Sequence, residues 1–167
     1  MDFRSLYDMQ KQLDSYIEKK HNLGNEDLLD RKLMAFYVEL AELANETRCF
    51  KFWSEKGPSP NEIILEEYVD GIHFILSVGL ECDFDKVNTV YDMNSEGEKT
   101  GEDLVPCFYE VLNGVHKFRE DKSSNSYTTL FHAYLQLGAA LNFSEQQIVK
   151  AYEKKNNVNF DRQDNGY

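Results

Sequence analysis

Apolar residues recur every three to four positions along most of this chain, which is the spacing of one face of an α-helix. The pattern predicts helices over about residues 2–20, 27 to the low 50s, 61–79, 101–119, 126–141 and 144–155. The clearest interruption is the Gly-Pro-Ser-Pro-Asn stretch at 57–61, which is typical of a turn. No segment alternates as a strand would. The sequence therefore predicts an all-α bundle of five or six helices.

The length of 167 residues is sufficient for a hydrophobic core, and we expect residues 1–167 to form a single domain. A hydrophobic fraction of 41% and an aromatic fraction of 13% argue against disorder. Residues 81–100 are harder to interpret, and 94–99 reads as a polar loop. The stretch from 156 to 167 is polar and rich in Asn.

The formal net charge of -12 argues against general binding to nucleic acids or anionic membranes, since both require a basic surface. No apolar run is long enough to span a membrane, and the first residues do not resemble a signal peptide. Three widely spaced cysteines lack the spacing of a zinc site and read as free thiols. We expect a cytoplasmic protein with no nucleic-acid or membrane partner.

Pairs of acidic residues three positions apart are the strongest candidates for chemistry. With 30 acidic residues in the chain, such pairs also arise by chance on solvated helix faces. The four pairs are Asp27/Asp30, Glu39/Glu42, Glu67/Asp70 and Asp161/Asp164. Only the middle two lie within strongly apolar predicted helices, so these two are the candidates for a buried site.

The turn at 57–61 should join the second and third helices into an antiparallel hairpin. In that hairpin Glu39 and Glu42 would lie at a depth comparable to that of Glu67 and Asp70. Four carboxylates in one small volume repel each other strongly unless a cation neutralises them. Carboxylate oxygens are the ligands that Mg²⁺ prefers, so the arrangement is suited to a phosphate substrate held through Mg²⁺.

Three separated blocks of sequence resemble one known family. The pattern Glu-x-x-Glu followed by Glu-x-x-Asp resembles the metal signature of the all-α nucleoside triphosphate pyrophosphatases, a superfamily that includes MazG-type enzymes. Residues 36–53, 66–74 and 152–167 resemble, in the same order, the dimeric all-α dUTPases of Gram-positive bacteria and their phages. The resemblance covers most of the chain and is weakest over about 81–125, where these enzymes vary most.

The resemblance implies an Mg²⁺-dependent dUTP diphosphatase, which hydrolyses dUTP to dUMP and pyrophosphate and also acts on dUDP. It implies two or more Mg²⁺ ions per site, held by Glu39, Glu42, Glu67 and Asp70. Glu39 is our candidate to orient or deprotonate the attacking water. Glu46, one turn beyond Glu42, is either an additional outer acid or a plain surface residue.

The end of the chain resembles the phosphate-binding motif of the same family. The resemblance implies that Lys155, Asn156, Asn159 and Arg162 contact phosphate oxygens, and a lysine and an arginine there would supply positive charge that the acidic site lacks. Composition alone would favour a frayed, solvated tail over residues 152–167. A mobile tail that closes over the nucleotide would also exclude water.

The resemblance also implies a uracil pocket. Its members are Gln10, Asp14, Trp53, His73 and Phe74. Asp14 stands where relatives often carry Asn, His73 could instead be a neutral histidine at the edge of the core, and Trp53 could be plain core. Lys51 and Lys56 either approach the phosphates or interact favourably with a helix C-terminus.

The residues leave two further interpretations open. A related pyrophosphatase with another base preference, such as dCTP or a modified nucleotide, would carry the same metal signature. The second interpretation is an interaction protein on the same fold, since some phage relatives also bind repressor proteins through the dUTPase body and a variable segment, which here would lie around 92–120. The family also implies a homodimer.

Overall fold

Helices make up most of the molecule in a computed structural model, which describes residues 1–86 and 99–166. The helices are α1 (Arg4–His21), α2 (Leu29–Thr47), α3 (Asn61–Glu81), α4 (Val105–Asp121), α5 (Ser124–Ala140) and α6 (Glu145–Asp164). A short 3₁₀ turn, Gly101–Leu104, precedes α4. These two ranges contain no β-strand, so the predicted all-α fold is confirmed. Nearly all of the predicted loop at 94–99 lies outside the described residues.

The predicted hairpin of α2 and α3 is present. The two helices pack along each other, and α2 buries a stripe of apolar side chains at helical spacing. That stripe consists of Leu29, Leu33, Phe36, Leu40 and Leu43. The amide of Ser59 donates to the carbonyl oxygen of Glu46 at 3.0 Å and so ties the connecting loop to the last turn of α2.

The second helix is shorter than predicted. We expected it to reach the low 50s, but α2 ends at Thr47 because Arg48 adopts a left-handed conformation with φ of 57°. A single residue of this kind commonly terminates a helix. The Arg48 guanidinium then donates to the carbonyl oxygen of Lys56 at 2.9 Å and to the hydroxyl of Ser54 at 2.6 Å. These bonds hold residues 48–56 as a compact loop.

The last helix is longer than predicted. Its start is as expected, with Ser144 and Gln147 forming a capping box. We expected an end near residue 155, whereas α6 continues to Asp164 because its second half packs on α1. The ring of Phe160 contacts the ring of Tyr16 with centroids 5.5 Å apart, and the Tyr16 hydroxyl donates to the carboxylate of Asp164. The polar tail is therefore an ordered helix rather than a frayed one.

Helix α3 lies in close contact with α5, and this contact depends on glycine. A Cβ atom added at Gly71 would lie 2.1 Å from the hydroxyl oxygen of Tyr134, and one added at Gly138 would lie 2.2 Å from that of Tyr68. Because α3 also packs against α1, α2 and α6, most of its surface is buried. The acidic residues of α3 are thus held by a helix that is packed on several sides.

Within the described ranges, no helix combines the length and the apolar character that crossing a membrane requires.

Candidate functional site

Three carboxylates meet where α2 faces α3. Glu39, Glu67 and Asp70 each offer one carboxylate oxygen, and these three oxygens all lie within 4.8 Å of one another. Glu67 and Asp70 share a face because they are three residues apart on α3. We call Glu39, Glu67 and Asp70 the acidic trio. All three side chains are half-buried, so their charges are only partly screened by water.

The trio carries unfavourable negative charge. Burial, followed by repulsion from Asp70 and Glu42, raises the pKa of Glu39 to about 7. Burial also raises the pKa of Glu67, and repulsion from Asp70 and Glu42 adds to the effect. Glu42 therefore lies close enough to act on the trio, although it is not one of the three convergent ligands. Such a set of hard oxygen donors fits a divalent cation, which would relieve this repulsion.

A lysine from α6 partly neutralises the trio. The ammonium nitrogen of Lys155 lies 2.6 Å from Asp70 Oδ2 and 2.9 Å from Glu66 Oε1. Burial lowers the pKa of Lys155, but its bonds to Asp70 and Glu66 outweigh burial and raise that pKa overall. Burial nevertheless leaves the pKa of Asp70 raised. We predicted that Lys155 contacts phosphate, whereas its contacts in this structure are two carboxylates. One of them belongs to Glu66, which was not among the predicted site residues although it adjoins Glu67.

A cavity of about 230 Å³ extends from the acidic trio between α1, α3 and α6. Nine of the residues singled out in the sequence line it: Gln10, Asp14, Glu39, Asp70, His73, Phe74, Lys155, Asn159 and Arg162. The cavity lining thus combines carboxylates, two basic side chains and less charged residues of α1 and α3.

His73 is held firmly in the cavity wall. Its Nδ1 lies 2.8 Å from Gln10 Oε1, and its ring stacks on that of Tyr152 with centroids 4.0 Å apart. Burial lowers the pKa of His73 to about 3, so the imidazole is neutral at physiological pH. Among the described residues, neither His73 Nε2 nor the buried Asn156 Oδ1 has a hydrogen-bond partner.

Asp14 connects this wall to a half-buried ion-pair cluster. Its Oδ1 accepts from Gln10 Nε2 at 2.7 Å, and its Oδ2 accepts from the Ser77 hydroxyl at 2.6 Å. The ammonium nitrogen of Lys32 lies 3.6 Å from Asp14 Oδ2 and 2.6 Å from Glu81 Oε2. Our prediction missed Ser77 and Lys32. Ser77 could have been found, because it lies four residues after His73 on the same helix face.

The other predicted residues do not line the cavity. Trp53 is 65% exposed, which excludes a core role, and its ring contacts Phe52 with centroids 5.0 Å apart. Lys51 donates to Asn45. Glu46 accepts from the Ser59 hydroxyl and therefore supports the hairpin loop. The hydrogen bonds found for Lys56 are made by its backbone, whose carbonyl oxygen accepts from Arg48 and whose amide donates to the Ser54 hydroxyl.

The residues that line the cavity suit a ligand with a polyanionic part. The carboxylates can hold a hard cation, and Lys155 and Arg162 can neutralise anionic oxygens. The neutral imidazole of His73 and the ring of Phe74 can contact a flat, polar ring. One cavity therefore combines the features that bind a phosphate chain with those that bind a nucleobase.

A comparison with protein-family models matches residues 2–167 to the family described as dUTPase. A search of the curated proteins finds no match.

Proposed function

We propose that the cavity beside the acidic trio is the active site of this chain, which belongs to the all-α dUTPase family and is a dUTP diphosphatase. A dUTP diphosphatase is a nucleoside triphosphate pyrophosphohydrolase. The observation that carries the proposal is the convergence of Glu39, Glu67 and Asp70 next to Lys155. The reaction converts dUTP to dUMP and pyrophosphate. Action on dUDP is part of the proposal, since the same cavity would hold the shorter phosphate chain.

The proposed cofactor is Mg²⁺, with two or more ions per site. Glu39, Glu67 and Asp70 would hold it, with Glu42 as a fourth acidic group at the edge. Their hard oxygen donors and their mutual repulsion support this choice. When bound, Mg²⁺ would neutralise charge on the phosphates and acidify the attacking water.

Glu39 is the proposed catalytic residue. It is the one member of the trio on α2, opposite the two carboxylates of α3. A carboxylate there can orient or deprotonate the water that attacks the phosphate chain. Its position in the cavity lining supports this role.

The proposed phosphate contacts are Lys155, Asn156, Asn159 and Arg162. Three of the four line the cavity, and Asn156 is buried within the same helix. On substrate binding, Lys155 would exchange carboxylate partners for phosphate oxygens, which keeps its ammonium group paired throughout. Arg162 can bind two phosphate oxygens at once through its planar guanidinium.

The proposed base contacts are residues of α1 and α3 that line the same cavity. His73 and Phe74 are suited to contact uracil directly, whereas Gln10 and Asp14 are already bonded to each other. We also propose Trp53, an exposed aromatic ring shortly after the end of α2, as a base contact. Glu46, Lys51 and Lys56 have contacts that support loop roles instead.

We propose that the chain acts as a single catalytic domain in a homodimer. One core cluster joins residues of all six helices, which supports a single domain. Met34 and Val38, one turn apart on α2, are 63% and 47% exposed, and such apolar surface supports self-association.

The three free cysteines support the proposed cytoplasmic location. The segment around 92–120, which we propose as the candidate for binding a repressor protein, lies partly outside the described residues.

A nucleotide panel tests the proposed site. The purified protein is assayed with dUTP, dUDP, dTTP and dCTP, with and without Mg²⁺, by measuring nucleoside monophosphate release. We expect preference for dUTP, dependence on Mg²⁺, and loss of turnover by a factor of about 10² or more in Asp70→Asn. Glu110→Gln, which removes an exposed acid on α4, is the matched control. Equal turnover of dCTP, or normal turnover by Asp70→Asn, would contradict the proposal.

A further inference from the structure

The orientation of the Gln10 side chain is dictated by Asp14. An ionised carboxylate has only acceptor atoms, so the group that lies 2.7 Å from Asp14 Oδ1 must be the amide nitrogen of Gln10. Lys32 lies close to the other oxygen of Asp14, and the Ser77 hydroxyl donates to it. Both oxygens of Asp14 are thus occupied as acceptors. The Gln10 amide is therefore held with its oxygen turned toward α3 and α6.

Two groups meet that oxygen, and both have to donate. Tyr152 Oη lies 2.6 Å from Gln10 Oε1, and His73 Nδ1 lies 2.8 Å from it. An amide oxygen cannot donate, so the proton of the neutral imidazole resides on Nδ1. The stacking of Tyr152 on the His73 ring prevents the imidazole from turning away.

The remaining nitrogen of His73 is then a bare acceptor. Nε2 is buried, the residue is only 4% exposed, and no described residue bonds to it. A buried acceptor without a partner is unfavourable, and a ligand that donates a hydrogen bond to it would remove that penalty. His73 lines the cavity that we propose as the active site.

We propose that Asp14, acting through Gln10, fixes His73 in the Nδ1–H tautomer, so that Nε2 accepts an N–H from the base and selects uracil over cytosine. Asp14, Gln10 and Tyr152 are positioning residues in this scheme. The inference rests on the proposed function in one respect only, namely that the base binds beside His73.

The chemistry of the two bases explains the selection. The N3 atom of uracil carries a hydrogen, whereas the N3 atom of cytosine carries a lone pair. A bare Nε2 attracts the first and repels the second. An asparagine at position 14 could turn either its oxygen or its nitrogen toward Gln10, which would let Gln10 rotate and the imidazole change tautomer. An aspartate removes this ambiguity.

The tautomer can be measured in the ligand-free protein. Long-range ¹H–¹⁵N correlation spectra of the protein labelled at its four histidines distinguish a protonated from a bare ring nitrogen. We expect His73 to show a bare Nε2 and a protonated Nδ1 at neutral pH. A protonated Nε2, or a doubly protonated ring, would overturn the proposal without any substitution being made.

A pair of variants tests whether Asp14 is the origin of this preference. Asp14→Asn should give a mixture of tautomers and should lower the ratio of kcat/KM for dUTP to that for dCTP by about tenfold or more. Ser77→Ala removes a donor from the same carboxylate but leaves it an acceptor, so the His73 tautomer should remain Nδ1–H. If Asp14→Asn keeps both the tautomer and the base preference, Asp14 does not control His73.

The two hypotheses fail in different ways. If the wild-type protein lacks the expected tautomer but prefers dUTP, the active-site proposal survives and the selection mechanism is wrong. If the tautomer is as expected but a non-hydrolysable dUTP analogue does not perturb the His73 resonances, the base does not bind there. In that case the site proposal fails and the tautomer assignment stands.

Discussion

Tyr68 and Tyr134 exchange hydrogen bonds across the interface of α3 and α5. The Tyr134 hydroxyl donates to the carbonyl oxygen of Tyr68 at 2.8 Å, and the Tyr68 hydroxyl donates to that of Tyr134 at 3.2 Å. Their rings are stacked with centroids 4.8 Å apart and are completely buried. Because Tyr68 lies between Glu67 and Asp70 in the chain, this pair anchors the turn of α3 that carries two carboxylates of the trio.

Substitution of Gly71 or Gly138 by Ala should destabilise the protein strongly. The added methyl would lie 2.1 Å or 2.2 Å from a tyrosine hydroxyl oxygen, so the ring has to move and its hydrogen bond is lost. We expect a loss of about 2–3 kcal/mol in the free energy of unfolding, measured by urea denaturation.

Gly57→Ala provides the control for these substitutions. No atom lies within 4 Å of a Cβ added at Gly57, so a change of less than about 0.5 kcal/mol is expected there. If Gly71→Ala proved as stable as Gly57→Ala, close packing of α3 against α5 would not be needed for the fold.

Glu39→Gln should stabilise the metal-free protein at and above neutral pH. The pKa of Glu39 is about 7 in the folded state against an ordinary value of 4.5, so between these values the folded state binds more protons than the unfolded one. Stability from this group is therefore present below pH 4.5 and is lost as pH rises through 7. After discounting for solvent screening, we expect a gain of about 1 kcal/mol for the variant at pH 8.

Thermal denaturation in the presence of a chelator, repeated across the pH range, measures this difference. The gain should shrink as the pH is lowered toward 4.5. Saturating Mg²⁺ should stabilise the wild type more than the variant and so reverse their order. A variant that is less stable than the wild type at every pH would show that Glu39 is not repelled by its neighbours.

Lys155→Gln should impair dUTP binding far more than Lys154→Gln. Lys155 is buried and bonded to Asp70, whereas its neighbour Lys154 is exposed. Loss of a charge-assisted bond of about 1.5–3 kcal/mol corresponds to a rise in KM of roughly tenfold or more. Steady-state kinetics of the two variants provide the comparison. Equal effects of both would indicate general attraction of the nucleotide rather than a specific contact.

Trp53 should be exposed in the ligand-free protein. It is the single tryptophan of the chain and is 65% exposed, so its emission should be red-shifted and readily quenched by acrylamide. If Trp53 contacts the base, a non-hydrolysable dUTP analogue with Mg²⁺ will protect it from quenching. Unchanged quenching would remove Trp53 from the base pocket, and Trp53→Ala should leave the free energy of unfolding within about 0.5 kcal/mol.

The hairpin of α2 and α3 was predictable because its signals are local. The apolar period and the turn at 57–61 define both helices, and the spacing of Glu67 and Asp70 sets their common face. The end of α2 was not predictable in this way. Phe50, Phe52 and Trp53 continue an apolar pattern, but only the left-handed backbone at Arg48 reveals that the helix has stopped.

The rest of the site depends on contacts between distant parts of the chain. The helical state of residues 156–164 follows from packing on α1, which its polar composition does not reveal. The pairing of Lys155 with Asp70 and the bonds from Asp14 to Lys32 and Ser77 likewise join separate helices. Sequence spacing identified many of the individual residues, whereas their partners required the fold.

The extension of α6 has a consequence for protein synthesis. The cavity is lined by Gln10 from the first helix and by Asn159 and Arg162 from the last, so residues at both ends of the described chain have to be present together. A nascent chain that has emerged only as far as α5 contains the three carboxylates of the acidic trio but lacks Lys155 and Arg162, the basic residues of α6 that line the cavity. A chain truncated before residue 155 should therefore hydrolyse no nucleotide, because it lacks the residues that α6 contributes to the cavity.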